Sequence, residues 1–462
     1  MSHSYDAIII GTGQAGPTLA SRLTAAGQKV AVIERGKFGG TCVNTGCIPT
    51  KTMVASAYAA HTARRAAEFG VTIRGPVDVD MKEVKARKDR ISGESNRAVE
   101  TWLKTMKDCT VYEGHARFES PHEVSVGEAR LTADRIFINV GGRAIVPDIP
   151  GLETVPYLTN SSMMETDFLP RHLLIIGGSY IGLEFGQMFR RFGSEVTILE
   201  RGPRLIQRED QDVSDAIREI LEREGIGLHM NVKLGSVAKD GDDIVVRADR
   251  DGQSLEIRGS HLLLAIGRRP NTADLGLGKA GVATDPRGYI VIDDQLRTNV
   301  PGIWALGDCN GKGGFTHTSY NDYEIVAANL LDNDSRRVSD RILAYALFID
   351  PPLGRVGMTE SEVLKSGREA QIAKRPMTKV SRAVEKGETQ GFMKIMVDSQ
   401  TQEILGAAIL GTGGDEAIHS ILDIMYAKKP YTVIRRAMHI HPTVSELIPT
   451  MLGELKPLAP PA

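Results

Sequence analysis

The interpretation of this chain depends on residues 39–51, which read GGTCVNTGCIPTK and follow a glycine-rich start. They place Cys42 and Cys47 five positions apart on an irregular segment that enters a predicted helix near Thr50. Two cysteines at that separation can approach closely enough to pair. Cys47 would then lie near a helix N-terminus, where the dipole favours a thiolate. The stretch therefore predicts a redox-active pair of sulfur atoms.

A dinucleotide-binding pattern occurs twice. An apolar run precedes GTGQAG at residues 11–16, and a helical segment and a second apolar run end at Glu34; the same succession surrounds GGSYIG at residues 177–182 and ends at Glu200. Such glycines allow a tight turn and close approach to a pyrophosphate, and the carboxylate can bind ribose hydroxyls. One glycine turn is a weak signal. Its repetition, with an equal interval from first glycine to acidic residue, predicts two bound dinucleotides.

Composition excludes several classes of protein. A chain of 462 residues is long enough for two or three domains. Lys and Arg number 56 against 58 Asp and Glu, so charge gives no reason to expect nucleic acid or an anionic membrane as partner. Four cysteines argue against a disulfide-stapled secreted domain and for a reducing compartment. Because neither a signal peptide nor a membrane span is recognisable, we expect a cytoplasmic protein.

Residues 39–51 resemble the GGTCxNxGCxPxK signature of the flavoprotein disulfide reductases, the family of glutathione reductase, lipoamide dehydrogenase and mercuric reductase. Three further segments are similar to family motifs. Residues 302–308, GIWALGD, resemble the second FAD motif, and residues 138–142 and 265–271 resemble the crossings between the two cofactor domains. The resemblance implies FAD at the first glycine turn, which runs into the cysteines, and a nicotinamide cofactor at the second.

The fold implied by this resemblance is α/β, with two Rossmann-like dinucleotide-binding domains and a C-terminal α+β dimerisation domain. We expect the FAD-binding domain at residues 1–150 and 272–343, the NAD(P)H-binding domain at 151–271, and the interface domain at 344–462. The residues expected to bind FAD are Gly11, Gly13, Gly16, Glu34, Thr41, Lys51, Gly142 and Asp308. Those expected to bind NAD(P)H are Gly177, Gly178, Gly182, Glu200 and Gly267.

Glu200 bears on the choice of nicotinamide cofactor. A carboxylate accepts hydrogen bonds from the adenosine 2′-hydroxyl and repels a 2′-phosphate, which favours NADH. Arg201 and Arg204 follow closely and could offer a phosphate partner. NADPH therefore stays open as an alternative.

The ending HIHPTVSE, residues 439–446, resembles the family's HPTxxE. It implies an obligate homodimer in which His441, oriented by Glu446, faces the partner subunit's cysteines and transfers protons. His439 could suggest a metal ligand. No cluster of cysteines or carboxylates with ligand spacing supports that interpretation, so we expect no metal site.

Two charged residues match the ion pair that lies near flavin N5 in this family, namely Lys51 and Glu184. A cation there favours the electron-rich reduced flavin, and the carboxylate holds the lysine in place. Taken alone, each would be an ordinary solvated charge on a helix. For Cys109 and Cys309 we expect structural roles, although Cys309 follows Asp308 and should lie close to the flavin.

These residues imply a reaction on a sulfur group. NADH reduces FAD, the electrons pass to the Cys42–Cys47 disulfide at Cys47, and Cys42 attacks a small oxidant or disulfide. Residues 315–323, FTHTSYNDY, together with residues 46–52 and 351–360, look most like the Rcl-type flavoproteins of reactive-chlorine resistance. Proteins of that type reduce hypothiocyanous acid, and copper(II) reduction is also ascribed to them.

Three alternatives stay open. Lipoamide dehydrogenase keeps a histidine dyad and usually NADH, but its chains read roughly AHKAEEEG after the second FAD motif. Mercuric reductases carry a vicinal cysteine pair at the C-terminus and tyrosine in place of His441, whereas this chain ends LAPPA, which argues against mercuric ion. A non-enzymatic redox-sensing flavoprotein would need neither the histidine dyad nor an intact second dinucleotide unit.

Overall fold

Each glycine-rich turn follows a strand at the centre of a parallel sheet. The strand Ala7–Ile10 is buried along its whole length, and His172–Ile176 is buried at all but its first residue. Continuous apolar strands of this kind are typical of parallel sheets that are covered on both faces. The structure is a computed structural model and describes residues 2–459.

The first parallel sheet has five strands, in the spatial order Ile303–Ala305, Arg135–Ile138, Ala7–Ile10, Val30–Glu34 and Cys109–Glu113. A four-stranded sheet shares its core, in the order Ser2–Ser4, Ala129–Thr132, Glu123–Val126 and Ala116–Ser120. The helices of this part are Ala15–Ala25, Gly40–Asn44, Cys47–Arg64, Met81–Thr105, Leu277–Ala280 and Thr316–Leu331, with short 3₁₀ turns at Ala66–Phe69, Gly307–Asn310 and Val338–Asp340.

The second parallel sheet has four strands, in the order Gly227–His229, Glu195–Leu199, His172–Ile176 and His261–Leu264. An antiparallel sheet lies beside it, formed by Val232–Asp240, Asp243–Arg250 and Gln253–Gly259. The helices of this part are Asn160–Met163, Tyr180–Phe192 and Gln211–Arg223, with a 3₁₀ turn at Leu152–Thr154. A short antiparallel ladder of Gly142–Ala144 and Arg268–Pro270 pairs the two segments that resemble domain crossings.

The C-terminal part is built on a six-stranded sheet, in the order Ala344–Leu347, Leu353–Gly357, Ile404–Leu410, Phe392–Asp398, Ala370–Pro376 and Lys456–Pro457. All its ladders are antiparallel, and its two central strands are buried throughout. Its helices are Glu360–Lys365, Ser381–Glu385, Gly414–Ala417, His419–Tyr426, Thr432–Arg436 and Leu447–Met451, with a 3₁₀ turn at Met377–Lys379.

The predicted fold class, α/β with two Rossmann-like units and a C-terminal α+β part, is confirmed by this architecture. The domain boundaries at residues 150, 271 and 343 stay predictions. Within residues 2–459, no helix is both long and apolar enough to cross a membrane.

The helix after the cysteines begins earlier than predicted. We expected it near Thr50, beyond Pro49, but it runs over Cys47–Arg64. The first turn of a helix has no intrahelical partners for its N–H groups, so a proline there costs no hydrogen bond. The segment before it is not irregular either, because Cys42 lies in the short helix Gly40–Asn44.

Candidate active site

The two glycine turns have the same backbone geometry. Gly11 has a φ of 105° and Gly177 a φ of 115°, a region that favours glycine. A Cβ on Gly11 would lie 2.3 Å from the carbonyl oxygen of Asn139, and one on Gly177 would lie 2.4 Å from that of Ala265. Both turns therefore require glycine at the point where the first strand ends.

The acidic residue of each unit closes its turn through backbone hydrogen bonds. Glu34 Oε2 accepts from the amide of Thr12 at 2.9 Å, and Glu200 Oε2 accepts from the amide of Gly178 at 2.7 Å. Each carboxylate also accepts from the backbone N–H two positions further on. The two carboxylates are thus fixed in equivalent places, where each can reach the ribose of a dinucleotide on its turn.

This equivalence refines the second motif. Gly178 stands opposite Thr12 and Ser179 opposite Gly13, so the second turn is GxSxxG where the first is GxGxxG. The last position of the turn still requires glycine, because a Cβ on Gly182 would lie 2.0 Å from the carbonyl oxygen of Gly177. Close packing of helix against strand is therefore retained.

The two cysteine sulfurs meet at the start of a helix. Cys42 and Cys47 are not bonded to each other in this structure, so its geometry describes the reduced pair. A hydrogen bond from the Cys42 thiol lowers the pKa of Cys47 to about 6, and the Thr316 hydroxyl and the Lys51 ammonium act in the same direction against burial. The same hydrogen bond raises the pKa of Cys42. The reduced pair is therefore polarised, with a thiolate at Cys47 and a thiol at Cys42.

Lys51 and Glu184 form the ion pair expected from the sequence. The Lys51 Nζ lies 2.6 Å from Glu184 Oε2, and Glu184 is almost fully buried. The other carboxylate oxygen accepts from the amide of Phe348 at 3.0 Å, and Lys51 lies over the Phe348 ring, 4.4 Å from its centroid. The ammonium group is held by these contacts on the side of Cys47.

A cavity of about 1130 Å³ joins the first glycine turn to the sulfurs. This volume exceeds the roughly 300–1,000 Å³ of an ordinary small-molecule pocket. Its lining includes Gly11, Gly13, Glu34, Thr41, Cys42, Cys47, Lys51, Glu184 and Asp308. The glycine turn forms one end of this cavity just before the helix Ala15–Ala25, whose N-terminus can bind a phosphate, and the cavity fits a long dinucleotide.

Asp308 lies in the same cavity, beside an arginine that the motif analysis did not single out. Arg268 Nε is 3.5 Å from Asp308 Oδ2, and the guanidinium also donates to Thr41 Oγ1 at 3.3 Å and to the carbonyl oxygen of Gly142. Burial raises the pKa of Asp308, and Arg268 opposes that shift. Gly267, with a φ of 124°, lies in the adjoining crossing.

His441 and Glu446 are in contact, as the sequence motif predicts. His441 Nδ1 lies 2.9 and 3.0 Å from the two carboxylate oxygens of Glu446. The histidine side chain is 73% exposed and its partner only 15%. Next to the histidine, Met438 is 99% and Ile440 80% exposed. The dyad thus lies on an exposed segment of the C-terminal part that carries two large apolar side chains.

The remaining cysteines have the environments of structural thiols. Burial raises the pKa of Cys109 to about 11 and that of Cys309 to about 12. Cys309 is fully buried and donates to the carbonyl oxygen of Leu306 at 3.2 Å. It belongs to the hydrophobic core of the first domain, behind Asp308 rather than facing the cavity.

Within the described part of the chain, the carboxylates of Asp210, Asp212 and Glu360 are spaced as metal ligands would be. The Lys394 Nζ lies 2.9, 2.8 and 3.1 Å from these three residues. Its ammonium group supplies the positive charge at this place. We therefore assign no metal to the cluster.

Sequence reasoning missed three residues that shape this site. Asn139 Nδ2 donates to the carbonyl oxygen of Gly13 at 3.1 Å, Arg268 joins Thr41 to Asp308, and Thr316 contacts Cys47. All three stand inside segments that the motifs cover. The available signal was that each is a polar residue within a segment that resembles the family, but their contacts depend on how distant segments meet.

Comparison with known proteins shows the family directly. The family model described as pyridine nucleotide-disulphide oxidoreductase matches residues 5–322, and its dimerisation domain matches residues 343–452. The chain is 36% identical over 462 residues to the probable pyridine nucleotide-disulfide oxidoreductase RclA of Escherichia coli, covering 98% of this chain and 100% of that protein. It is 34% identical to the mercuric reductase of Streptomyces lividans, covering 96% of this chain and 94% of the relative.

A dihydrolipoyl dehydrogenase of Thermus scotoductus is 32% identical, covering 96% of this chain and 95% of that protein. Among solved structures, a Cu(II) complex of the HOCl-induced flavoprotein disulfide reductase RclA from E. coli superposes with a TM-score of 0.90 at 35% identity, covering 98% of this chain and 100% of the other. A solved relative matched over nearly the whole chain thus shares the fold. The chain belongs to the pyridine nucleotide-disulphide oxidoreductase family and is a flavoprotein disulfide reductase similar to RclA.

Proposed function

We propose that this chain is a cytoplasmic, FAD-containing, NADH-dependent reductase that uses a Cys42–Cys47 disulfide to reduce a small oxidant such as hypothiocyanous acid. The observation that carries the proposal is the single cavity that joins the first glycine turn, both sulfurs and the Lys51–Glu184 pair. Similarity to RclA over nearly the whole chain supports an oxidant as substrate.

FAD, when bound, supplies a two-electron carrier between the nicotinamide and the disulfide. We assign its binding to the first glycine turn, Glu34, Thr41, Gly142 and Asp308. Lys51, held by Glu184, would place a positive charge where electron density accumulates on reduction, which favours the reduced state. The second turn and Glu200 would bind the nicotinamide cofactor.

The sulfur chemistry follows from the polarised pair. The Cys42 thiol attacks the sulfur of hypothiocyanous acid; its proton leaves with the hydroxyl group as water, and a Cys42–SCN bond forms. The Cys47 thiolate then attacks the Cys42 sulfur, re-forms the disulfide and releases thiocyanate. A small electrophile requires an accessible sulfur rather than a shaped pocket, and Cys42 needs help only with its proton, since its pKa is raised.

We assign proton transfer to His441 of one subunit acting on the cysteines of the other. The Glu446 contact at Nδ1 leaves Nε2 as the ring nitrogen that can exchange a proton with substrate. The dimerisation domain and the exposed apolar residues around the dyad support this arrangement. They also support a homodimer as the active species.

Mixed dimers test this division between subunits. Cys42→Ser and His441→Gln subunits, each inactive as a homodimer, are refolded or co-expressed together. If the site is shared, each heterodimer has one intact site, and a statistical mixture recovers about a quarter of wild-type activity. Absence of recovery, with heterodimers demonstrated by tagged subunits, would place the complete site within one chain.

For the cofactor we propose NADH, with NADPH as the alternative. Glu200 is fixed by two backbone N–H groups where it would accept from a 2′-hydroxyl. Arg204 donates to Gln211 and to the carbonyl oxygen of Gln207, which engages the guanidinium away from a 2′-phosphate. Comparison of kcat/KM for the two nucleotides decides between them.

The substrate is tested by NADH oxidation with hypothiocyanous acid and, in parallel, with lipoamide. The proposal expects a much higher kcat/KM for hypothiocyanous acid. A higher value for lipoamide would make the chain a dihydrolipoamide dehydrogenase. Since RclA has been solved as a Cu(II) complex, a third reaction with Cu(II) tests metal-ion reduction, and mercuric ion serves as its comparison. Failure of NADH to bleach the flavin would favour a non-enzymatic redox sensor.

A further inference from the structure

The hydroxyl group of Thr316 lies against the flavin-side sulfur of the cysteine pair. Its Oγ1 is 2.9 Å from Cys47 Sγ, although the two residues are far apart in the chain. A thiolate has no proton to donate, so in the ionised pair the hydroxyl must be the donor. Hydrogen bonds to a charged group are roughly twice as strong as neutral ones.

We infer that Thr316 is a positioning residue that stabilises the Cys47 thiolate of the reduced pair and so sets the reduction potential of the Cys42–Cys47 couple. The inference rests on the proposed role of Cys47 as the flavin-side thiolate, but it does not depend on which substrate is reduced. The Cys47 thiolate then accepts two side-chain hydrogen bonds, one from the Cys42 thiol and one from the Thr316 hydroxyl.

The start of a second helix contributes to the same effect. Thr316 is the first residue of the helix Thr316–Leu331, and Cys47 is the first residue of Cys47–Arg64. Both helices therefore direct their positive N-terminal ends towards the sulfur. Each helix end favours a nearby negative charge, and the Thr316–Cys47 contact brings the two ends together.

The neighbours of Thr316 fix its position. The Phe315 ring is parallel to the Tyr345 ring, at 5.6 Å and 4°, and stacks on the His317 ring at 5.3 Å and 9°. It also packs at 5.5 Å against Tyr180. His317 Nε2 is 2.7 Å from the carbonyl oxygen of Ala344 and donates to it. Aromatic contacts on both sides of Thr316 thus hold the hydroxyl in place before the sulfur ionises.

Other groups facing Cys47 act together with the hydroxyl. They are the Cys42 thiol and the Lys51 ammonium, whose charge is shared with Glu184. Reduction of the disulfide takes up two electrons and one proton and yields the Cys42 thiol and the Cys47 thiolate. Stabilising that thiolate favours the reduced side and raises the potential. A pair tuned in this direction is a weaker reductant, so it suits a strong oxidant better than a dithiol–disulfide substrate.

The test measures the thiolate directly in the flavin-containing dimer, without substrate. Thr316→Val removes the donor at nearly constant volume, and Thr316→Ser restores it. Each protein is reduced anaerobically by one equivalent of dithionite, and the thiolate is titrated by its long-wavelength absorbance against flavin and by iodoacetamide alkylation of Cys47. The midpoint potential of the Cys42–Cys47 couple is measured against a redox dye, at a pH above the Cys47 pKa of both the wild type and the variant.

We expect Thr316→Val to raise the apparent pKa of Cys47 by about one unit, which is tenfold in proton affinity and lowers the two-electron potential by about 30 mV. Thr316→Ser should titrate as wild type does. Thr318→Val is the matched control, because the Thr318 hydroxyl bonds only to the backbone of Phe315 at the same helix start. Thr316→Ala serves if the valine variant does not fold.

The inference would be overturned if the apparent pKa of Cys47 in Thr316→Val and Thr316→Ala were the same as in the wild type. An equal shift in Thr318→Val would also overturn it, by assigning the effect to local structure. These measurements contain no substrate. If the turnover assay shows that hypothiocyanous acid is not the substrate, the effect of Thr316 on Cys47 can still be measured. Failure of the proposed substrate and failure of the inference about Thr316 are therefore distinguishable.

Discussion

The two dinucleotide units of this chain have the same turn and differ in the segment after the acidic residue. In both, a carboxylate at the end of the second strand accepts from the backbone of the glycine turn, Glu34 in one and Glu200 in the other. After Glu34 the chain continues into Cys42 and Cys47, whereas after Glu200 it continues into a polar loop beginning at Arg201. The two units therefore share the geometry of the turn and differ in the adjoining segment.

The cysteines give the first unit a function that the second unit has no residues to perform. Changes in the first unit should therefore affect the transfer of electrons to sulfur or retention of the flavin. Changes in the second unit should affect only the nicotinamide. Substitutions at matched positions of the two units test this division.

The largest effect is expected for Cys42→Ser. Loss of the outer nucleophile should lower turnover by a factor on the order of 10³ or more, while NADH still reduces the flavin. Stopped-flow flavin absorbance and steady-state NADH oxidation measure the two steps separately. Cys109→Ser is the control, because that half-buried thiol should leave both rates unchanged. Unimpaired turnover in Cys42→Ser would remove the pair from the mechanism.

The same substitution in each turn should separate the two cofactors. A Cβ on Gly16 would lie 2.4 Å from the Gly11 oxygen, and one on Gly182 would lie 2.0 Å from the Gly177 oxygen. Overpacking of this kind costs about 1–3 kcal/mol, so affinity should fall on the order of tenfold to a hundredfold. We expect Gly16→Ala to lose flavin and Gly182→Ala to keep it but show a raised KM for NADH. Equal flavin loss in both would contradict the division.

Glu200→Gln should shift nucleotide preference. The neutral amide no longer repels a 2′-phosphate, so the ratio of kcat/KM for NADPH to that for NADH should rise roughly tenfold. Glu34→Gln is the matched change in the first unit. It should weaken flavin retention, measured by the flavin absorbance after gel filtration, and leave the nucleotide ratio alone. A changed ratio in Glu34→Gln would indicate that the units are not independent.

The smallest predicted effect is on pH dependence. Because the pKa of Cys47 is lowered to about 6, the thiolate of the reduced pair is present above that pH and is lost as pH falls through it. Alkylation of Cys47 by iodoacetamide in NADH-reduced protein should therefore be half-maximal near pH 6. A midpoint at about pH 8.5, the value expected of an unperturbed thiol, would contradict a polarised pair.

Sequence patterns predicted the paired residues of this site well. Cys42 and Cys47, Lys51 and Glu184, and His441 and Glu446 were each expected as partners, and the structure brings each pair into contact. These predictions came from motifs in which spacing carries the information. Their roles in the reaction stay predictions.

Three features could not be predicted from the sequence. Thr316 and Arg268 contact the site from segments far along the chain, and such contacts are set by tertiary packing rather than by local spacing. The hydrogen bonds by which Glu34 and Glu200 close the two turns depend on side-chain conformation, although the equal glycine-to-acid interval already places Gly178 opposite Thr12. The start of the helix at Cys47 was hidden by Pro49, which reads as a helix breaker but fits a first turn.

The most direct test of this account is a map of cysteine reactivity before and after anaerobic addition of NADH. Protein purified in air is alkylated in denaturant, digested and analysed by mass spectrometry, and a second sample is first treated with one equivalent of NADH. We predict that Cys42 and Cys47 form a disulfide in the first sample and are alkylated in the second, while Cys109 and Cys309 are alkylated in both. Alkylation of Cys42 and Cys47 without NADH, or a disulfide that persists after NADH reduces the flavin, would contradict the account.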